Sequence, residues 1–420
     1  MQQSQQIAII SVIMLWALQM GDAGAGGRLK ANGWTAACRL ASELDKVEQK
    51  AAHRLATPMA TVNDYLKQYF RTAIYTEAYR NGHHTAADRA LLTYYASKAD
   101  AAAAELTPSA VAKLATAVRD AARAEGSIRD FIGAMAQISA AATDGCLEIE
   151  TGSNTHRPPN TPFTGSSAGC KLSTDQLPIT DTTTEGFTQT GYDGGLEVNA
   201  DVAANTDTTS DTCAITAAKA SSRLLDGANG DSAIQGSPTF ASGLYYIHND
   251  GMQRRATVSL NTAEGKAPTL KAAHTAYLTT KYTPESYKFE TADQLKESAD
   301  FRTIYAMLVK KKDTIGQPEE AVIKDEIGGA FGDKGAMAKE YNTAFASAQV
   351  HNPNAKGTEK VPLTSLSTLK DLTATLAYYQ DINTKALKRK IAELEKQINK
   401  GASKTQEQIC NAIEDQNETS

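Results

Sequence analysis

The 420 residues are 41% hydrophobic with a formal net charge of -5, the composition of a folded chain with no basic surplus to draw it to nucleic acid. Aromatic residues make up only 6% while alanine is abundant, which favours close-packed helices over a sheet sandwich. The length allows two or three domains.

The chain opens on an apolar run, Ile7 to Met20, too short for a comfortable membrane span and followed by small residues from Gly21 to Gly27 that include Ala23-Gly24-Ala25. This is the layout of a secretory leader with its cleavage site, so residues 1–25 are expected to be a signal peptide, although residues 1–6 carry no Lys or Arg. No later stretch of sequence is long and apolar enough to span a bilayer. Export places the five cysteines, Cys38, Cys146, Cys170, Cys213 and Cys410, in an oxidising compartment. None forms a C-x-x-C pair and none has a histidine at metal-finger spacing, so disulfides are expected; four cysteines alone allow three connectivities. Cys410 stands apart near the end, and an odd cysteine suggests a partner in another chain or in sequence that has been cut away. Just beyond it lies the single N-x-S/T sequon, at Asn417.

Leu40, Leu44, Val47 and Ala51 alternate four and three apart, and Val62, Leu66, Tyr69 and Ala73 resume the alternation after Pro58. The pattern breaks at Asn81-Gly82 and restarts near Thr85-Ala86. Thr107-Pro108 is an N-cap followed by proline at the first helical position. Val111, Leu114, Val118, Ala121, Glu125, Ile128, Ile132 and Met135 then form a narrow coiled-coil stripe. Its one polar member, Glu125, is open to two readings, solvation at a kink or the setting of register, of which the first is the simpler. Residues 141–290 differ: they hold three cysteines, Arg157-Pro158-Pro159-Asn160, and Thr/Asp/Gly-dense runs such as Thr180 to Glu185 without apolar period. They read as a loop-rich lobe stapled because it cannot build a large core of its own. A helical stretch follows around Ala292–Lys312. Thr368-x-x-Asp371 is a capping box, leading Leu369, Leu372, Leu376 and Tyr379, then Leu387, Ile391, Leu394 and Ile398 in shifted phase, in a helix expected to end at Gly401. Helices from the two ends of the chain are expected to pack as a long bundle.

Candidate chemistry is sparse. Gly165-Ser166-Ser167-Ala168-Gly169 matches G-x-S-x-G, but proline-rich loop precedes it where a nucleophile elbow needs a strand. Gly328 to Gly335 lacks phosphate-loop spacing and reads as a turn. His83-His84 are adjacent, so their side chains diverge, and the other histidines are isolated. Lys310–Lys312, Glu148, Glu150 and Glu319-Glu320 read as surface charges. No catalytic constellation, cofactor site or metal site is expected.

Trp34-x-x-x-Cys38 with Glu43-Leu44-Asp45, Ala73-Ile74-Tyr75-x-Glu77, Tyr95-Ala96-x-Lys98-Ala99-Asp100, Gly145-Cys146, Cys170-Lys171-Leu172, Cys213, Leu308-x-Lys310-Lys311-Lys312-Asp313 and Leu376-Ala377-Tyr378-Tyr379 follow one another in an order that resembles a trypanosome variant surface glycoprotein, class A N-terminal domain. The resemblance implies a mainly α fold: a long antiparallel helical coiled-coil bundle (30–140 and 364–400) carrying a loop-rich, disulfide-stapled distal lobe with minor β structure (141–290) and further helices (291–363), all within a domain spanning 26–400. It implies pairing of Cys38 with Cys170 and Cys146 with Cys213. Cys410 would be unpaired here, with 401–420 the linker and start of a small C-terminal domain and a GPI signal following further on. It also implies a homodimer held at the plasma membrane by that anchor, forming a dense coat that evades immunity by antigenic variation and presents distal loops to host antibodies. Family relatives on the same fold, a transferrin-receptor-like subunit and a serum-resistance protein, supply the alternative reading.

Overall fold

In a computed structural model, the described residues are 26–139, 144–153, 155–172, 175–195, 201–205, 213–216, 218–219, 223–224, 238–248, 251–263, 265–312, 316–332, 336–355 and 360–417. The backbone alone is described at Ala214, 218–219, 223–224, Pro318 and 400–417. The signal peptide expected at 1–25 therefore lies outside the described residues.

Helix α1 (Ala31–Tyr79) runs unbroken through Pro58. A proline there removes the helical donor to the Arg54 carbonyl, and the helix continues because its side chains on either side are committed to packing. The packing itself changes at that point: the chain divides into one unit made of Met1–Thr57 with Leu106–Pro284 and another made of Pro58–Glu105 with Glu285–Ser420. This partition cuts α1 in two, and heptad spacing in the sequence gives no sign of it, because a stripe does not name the partner it meets.

In the first unit, Leu40, Leu44, Val47 and Ala51 are buried against α3 (Pro108–Gln137), which starts on Thr107, whose Oγ1 accepts from the Ala110 amide at 3.2 Å. The apolar stripe of α3 is buried only from Ala117 onward, through Ala121, Ile128, Ile132 and Met135, while Val111 is exposed. Helix α4 (Pro268–Thr279) buries Leu270, Ala273, His274 and Tyr277 in the same unit. A small antiparallel sheet has the order β1-β6-β5-β4, with β1 Val202–Ala203, β4 Thr239–Phe240, β5 Tyr245–His248 and β6 Gly251–Arg254. Tyr245 pairs with Arg254 and Ile247 with Met252 across β5 and β6. The two-residue strands β2 (Ala218–Lys219) and β3 (Arg223–Leu224) form a second, antiparallel pair.

The second unit joins the remainder of α1 to α2 (Ala86–Ala104), α5 (Ala292–Glu297), α6 (Ala299–Tyr305), α7 (Gln317–Gly332) and the first turns of α8 (Leu369–Asn417), with a two-stranded pair, β7 Gln349–His351 and β8 Lys360–Pro362. The turn between α1 and α2 needs positive φ at Asn81 and Gly82, the break visible in the sequence. Thr85 and Asp88 then form a reciprocal capping box. Asp88 is fully buried, and also accepts from Tyr341 at 2.5 Å and Arg80 at 3.2 Å. Around it lies an aromatic core in which Phe301 sits edge-on to Tyr94, ring centroids 5.3 Å apart, and to Phe331 at 5.6 Å.

Helix α8 does not stop at Gly401 but continues to Asn417. One interior glycine costs only about 1 kcal/mol relative to alanine, and the following Ala, Lys, Gln and Glu residues are good helix formers. Cys410 and Asn417 fall on this last stretch, their side chains outside the described residues.

Candidate functional site

With no catalytic constellation expected, the candidate functional site is the loop surface that the first unit holds against α1 and α3. Two disulfides fix it. Cys38 on α1 is bonded to Cys170, 132 residues away, and Cys146 to Cys213, 67 residues away. Closing loops of these lengths restricts the unfolded chain by ~2–5 kcal/mol each. Gly169, just before Cys170, approaches α1 so closely that a Cβ there would collide with the Cys38 carbonyl. Gly191 meets the Thr257 carbonyl in the same way.

The loop following Cys170 is pinned to α1 at three points. Glu43 Oε2 accepts from the Glu185 amide at 2.6 Å, Gln49 Oε1 from Thr180 at 3.0 Å, and Arg54 pairs with Asp181 at 2.9 Å. Arg54 is buried and also donates to the Tyr282 carbonyl and to Thr283 Oγ1. Burial raises the Asp181 carboxyl, but the hydrogen bond and charge of Arg54, with Lys50, outweigh it and hold the group below its ordinary range. Thr180, Asp181, Thr183 and Glu185 nevertheless stay exposed, while Thr182 and Thr184 are half-buried. Few of these side chains are committed to a core.

The second disulfide sits at the base of α1. Leu29 donates to the Cys146 carbonyl at 2.8 Å, and Glu148 donates back to Leu29 at 3.0 Å. Glu148, a surface charge on the sequence reading, is buried; its carboxylate accepts from the Ala31 amide at 2.8 Å and from Gly152 at 3.0 Å. It caps the first turn of α1 from more than a hundred residues away, where an anion is favoured by the helix dipole. No local pattern could have revealed it.

Between α1 and α3 lies a half-buried charge cluster. Glu125 pairs with Arg129 one turn on, Arg129 Nη2 is 3.8 Å from Asp45, and Arg129 Nε donates to the Gly169 carbonyl at 2.8 Å. Glu125 is thus ion-paired within the seam, not solvated at a kink. Glu48, on the same side, is pushed up to about 8 by burial first, then by the charges of Glu125 and Asp45 against the opposing Arg129.

The motifs weighed for chemistry resolve structurally. Gly165–Cys170 is a tight helical turn in which Ser167 Oγ donates to the Thr164 carbonyl at 2.8 Å and accepts from the Thr164 amide at 3.1 Å. Gly328, Gly329 and Gly332 lie in α7, and residues 333–335 are outside the described residues. His84 contacts Glu77, and His274 contacts the Thr188 carbonyl. Lys310 and Lys312 pair with Glu326 and Glu319, and Arg302 with Glu320. Among the described residues there is no group of three His, Cys, Asp or Glu able to hold a metal. Nor is any described helix long and apolar enough to cross a membrane.

Residues 10–380 match the family model for the trypanosome variant surface glycoprotein, A-type. The chain belongs to this family. It is 24% identical over 305 residues to variant surface glycoprotein MITAT 1.2 of Trypanosoma brucei brucei, an alignment covering 72% of this chain and 60% of that protein. It is 22% identical to MITAT 1.1 of the same organism, over 97% of this chain and 82% of the relative. The chain thus spans about 60% of the MITAT 1.2 length, under two thirds of it. The solved structure of MITat 1.1 superimposes with a TM-score of 0.65 at 20% identity, covering 89% of this chain and 99% of that one. At that identity the likeness speaks to fold, and it places this variant surface glycoprotein among helical-bundle proteins with small antiparallel sheets. Within that fold, all four cysteines of the two disulfides fall in the first unit.

Proposed function

We propose that this variant surface glycoprotein acts without catalysis, as the repeating subunit of a dense coat on the trypanosome surface, evading immunity by antigenic variation. The observation that supports this best is the family match over residues 10–380. The loop held by Cys38–Cys170 fits the reading: it is anchored by a disulfide, a close glycine contact and hydrogen bonds to α1, yet shows Thr180, Asp181, Thr183 and Glu185 to solvent. Such a loop changes its surface without disturbing a core. Host antibodies are the partners this surface would meet. The subunit would be a homodimer, routed through the secretory pathway after loss of residues 1–25. It would be held at the outer face of the plasma membrane by a GPI anchor on a C-terminal part beyond this chain. Cys410 would belong to that part, and Asn417 would carry the N-linked glycan.

Surface copy number in the source cell, measured beside pull-down of host serum proteins on the soluble chain, tests the coat. A copy number high enough to tile the surface as a packed monolayer, with no stoichiometric ligand, is expected. Low abundance with one stoichiometric serum ligand would give the fold a receptor's role instead.

A further inference from the structure

We propose that residues 384–399 of α8 zip with the same segment of a second copy of this chain, as a parallel, in-register, two-stranded coiled coil. The face of α8 that serves the second unit ends near Tyr379 and Asn383, where Asn383 Nδ2 donates to the Glu77 carbonyl at 2.9 Å. From Thr384 to Asn399 every residue is exposed, whichever way it faces. Four large apolar side chains stand on this stretch: Leu387, Ile391, Leu394 and Ile398 are 60, 46, 50 and 69% exposed. Helix propensity does not require them, since the Lys, Glu and Gln between them are equally good helix formers. They form a single stripe, and a contiguous exposed apolar stripe on a charged helix marks an interface.

The spacing and residue types identify the occupant. Steps of four, three and four place Leu387 and Leu394 at d positions and Ile391 and Ile398 at a positions of a heptad. β-branched residues at a with leucine at d favour two parallel strands over three or four, because the Cα–Cβ vectors of the two layers meet the facing helix at different angles. The same register puts Lys390 at g and Glu395 at the next e, the two positions that face each other across a parallel seam. Each copy therefore offers its partner one cation and one anion, twice by symmetry. Among the described residues the ion pair on this stretch joins Asp381 to Lys385, not either of these two. The seam closes where Gly401 takes the next d position and offers no knob. The inference rests on the homodimer reading for its partner, and adds where, in which direction and in which register the copies meet.

Sedimentation of the full chain with an Ile391→Asp/Leu394→Asp double variant tests it. Both positions are exposed, so the variant should keep the wild-type circular dichroism. A dimeric wild type and a dissociation constant weakened about 100-fold or more in the variant are expected. Lys390→Glu should weaken the dimer and Lys390→Glu/Glu395→Lys should restore it. In a Cys410→Ser background, Leu394→Cys should link to itself on mild oxidation, and a mixture of Leu387→Cys with Ile398→Cys should not cross-link. A dimer that survives the double variant overturns the seam and leaves the homodimer reading standing. A monomeric wild type overturns both. A trimer, or linkage of 387 to 398 in place of 394 to 394, overturns the parallel two-stranded arrangement.

Discussion

The unit containing residues 144–195 and the sheet is cross-linked twice and approaches itself through glycines at 169 and 191, whereas the unit containing α2 and α5 to α7 has, among its described residues, no disulfide and is filled by Tyr65, Tyr94, Phe301, Phe331 and Phe345. The difference follows from sequence character. A run such as Thr180 to Glu185 has too little apolar surface to offset the entropy of ordering it, so covalent closure and backbone contacts to α1 must hold it. Helices with an apolar stripe bury enough surface to hold one another, but then almost every inward side chain is constrained. The stapled unit leaves its loop side chains free to vary; the aromatic unit does not.

Measurements on the units separately would break or sharpen this contrast. The largest expected effect is at Phe301, which is fully buried between Tyr94 and Phe331. Phe301→Ala should cost about 3–5 kcal/mol, read as loss of amide-exchange protection in α2 and α6 while α3 and α4 keep theirs. Equal loss in both would mean the units are not separately cooperative. Next, Cys38→Ser/Cys170→Ser should cost ~2–4 kcal/mol in the first unit and leave the second unchanged, followed by denaturant titration with probes in each. Removing the buried carboxylate with Asp88→Ala should cost about 2–3 kcal/mol, less than a fully enclosed pair because Arg80 remains partly exposed.

A smaller effect depends on pH. Glu48 is held near 8 in the folded chain against 4.5 for the free group. Below the unfolded value both states are protonated and the residue contributes nothing. Between the two values only the unfolded state ionises, so stability falls as pH rises and the loss is complete above the folded value. Glu48→Gln should therefore match the wild type at pH 4 and exceed it at pH 8 by on the order of 1 kcal/mol, solvent screening included, in paired thermal melts. Smallest of all, Thr183→Ala on the exposed loop should change stability by less than about 0.5 kcal/mol. A larger loss there would mean the loop side chains are structural after all.

Helix starts were legible because their signals are local: Thr107-Pro108 and the Thr368/Asp371 capping box specify hydrogen bonds within four residues. The break at Asn81-Gly82 was legible for the same reason, and the structure shows it as a turn with positive φ at both residues. The stripe 40–51 declared a buried face, yet its spacing could not say that α3 would cover it or that α1 would change cores at Pro58. Glu148 reached the first turn of α1, and Asp45, Glu48, Glu125 and Arg129 met, only once distant segments were brought together, and a charge has no periodicity to announce its partner. In the helical seams, then, the amino-acid order by itself determined which faces are apolar, since burial follows from side-chain type at fixed angular spacing. Tertiary structure decided which face meets which, because that depends on contacts between residues far apart in the chain.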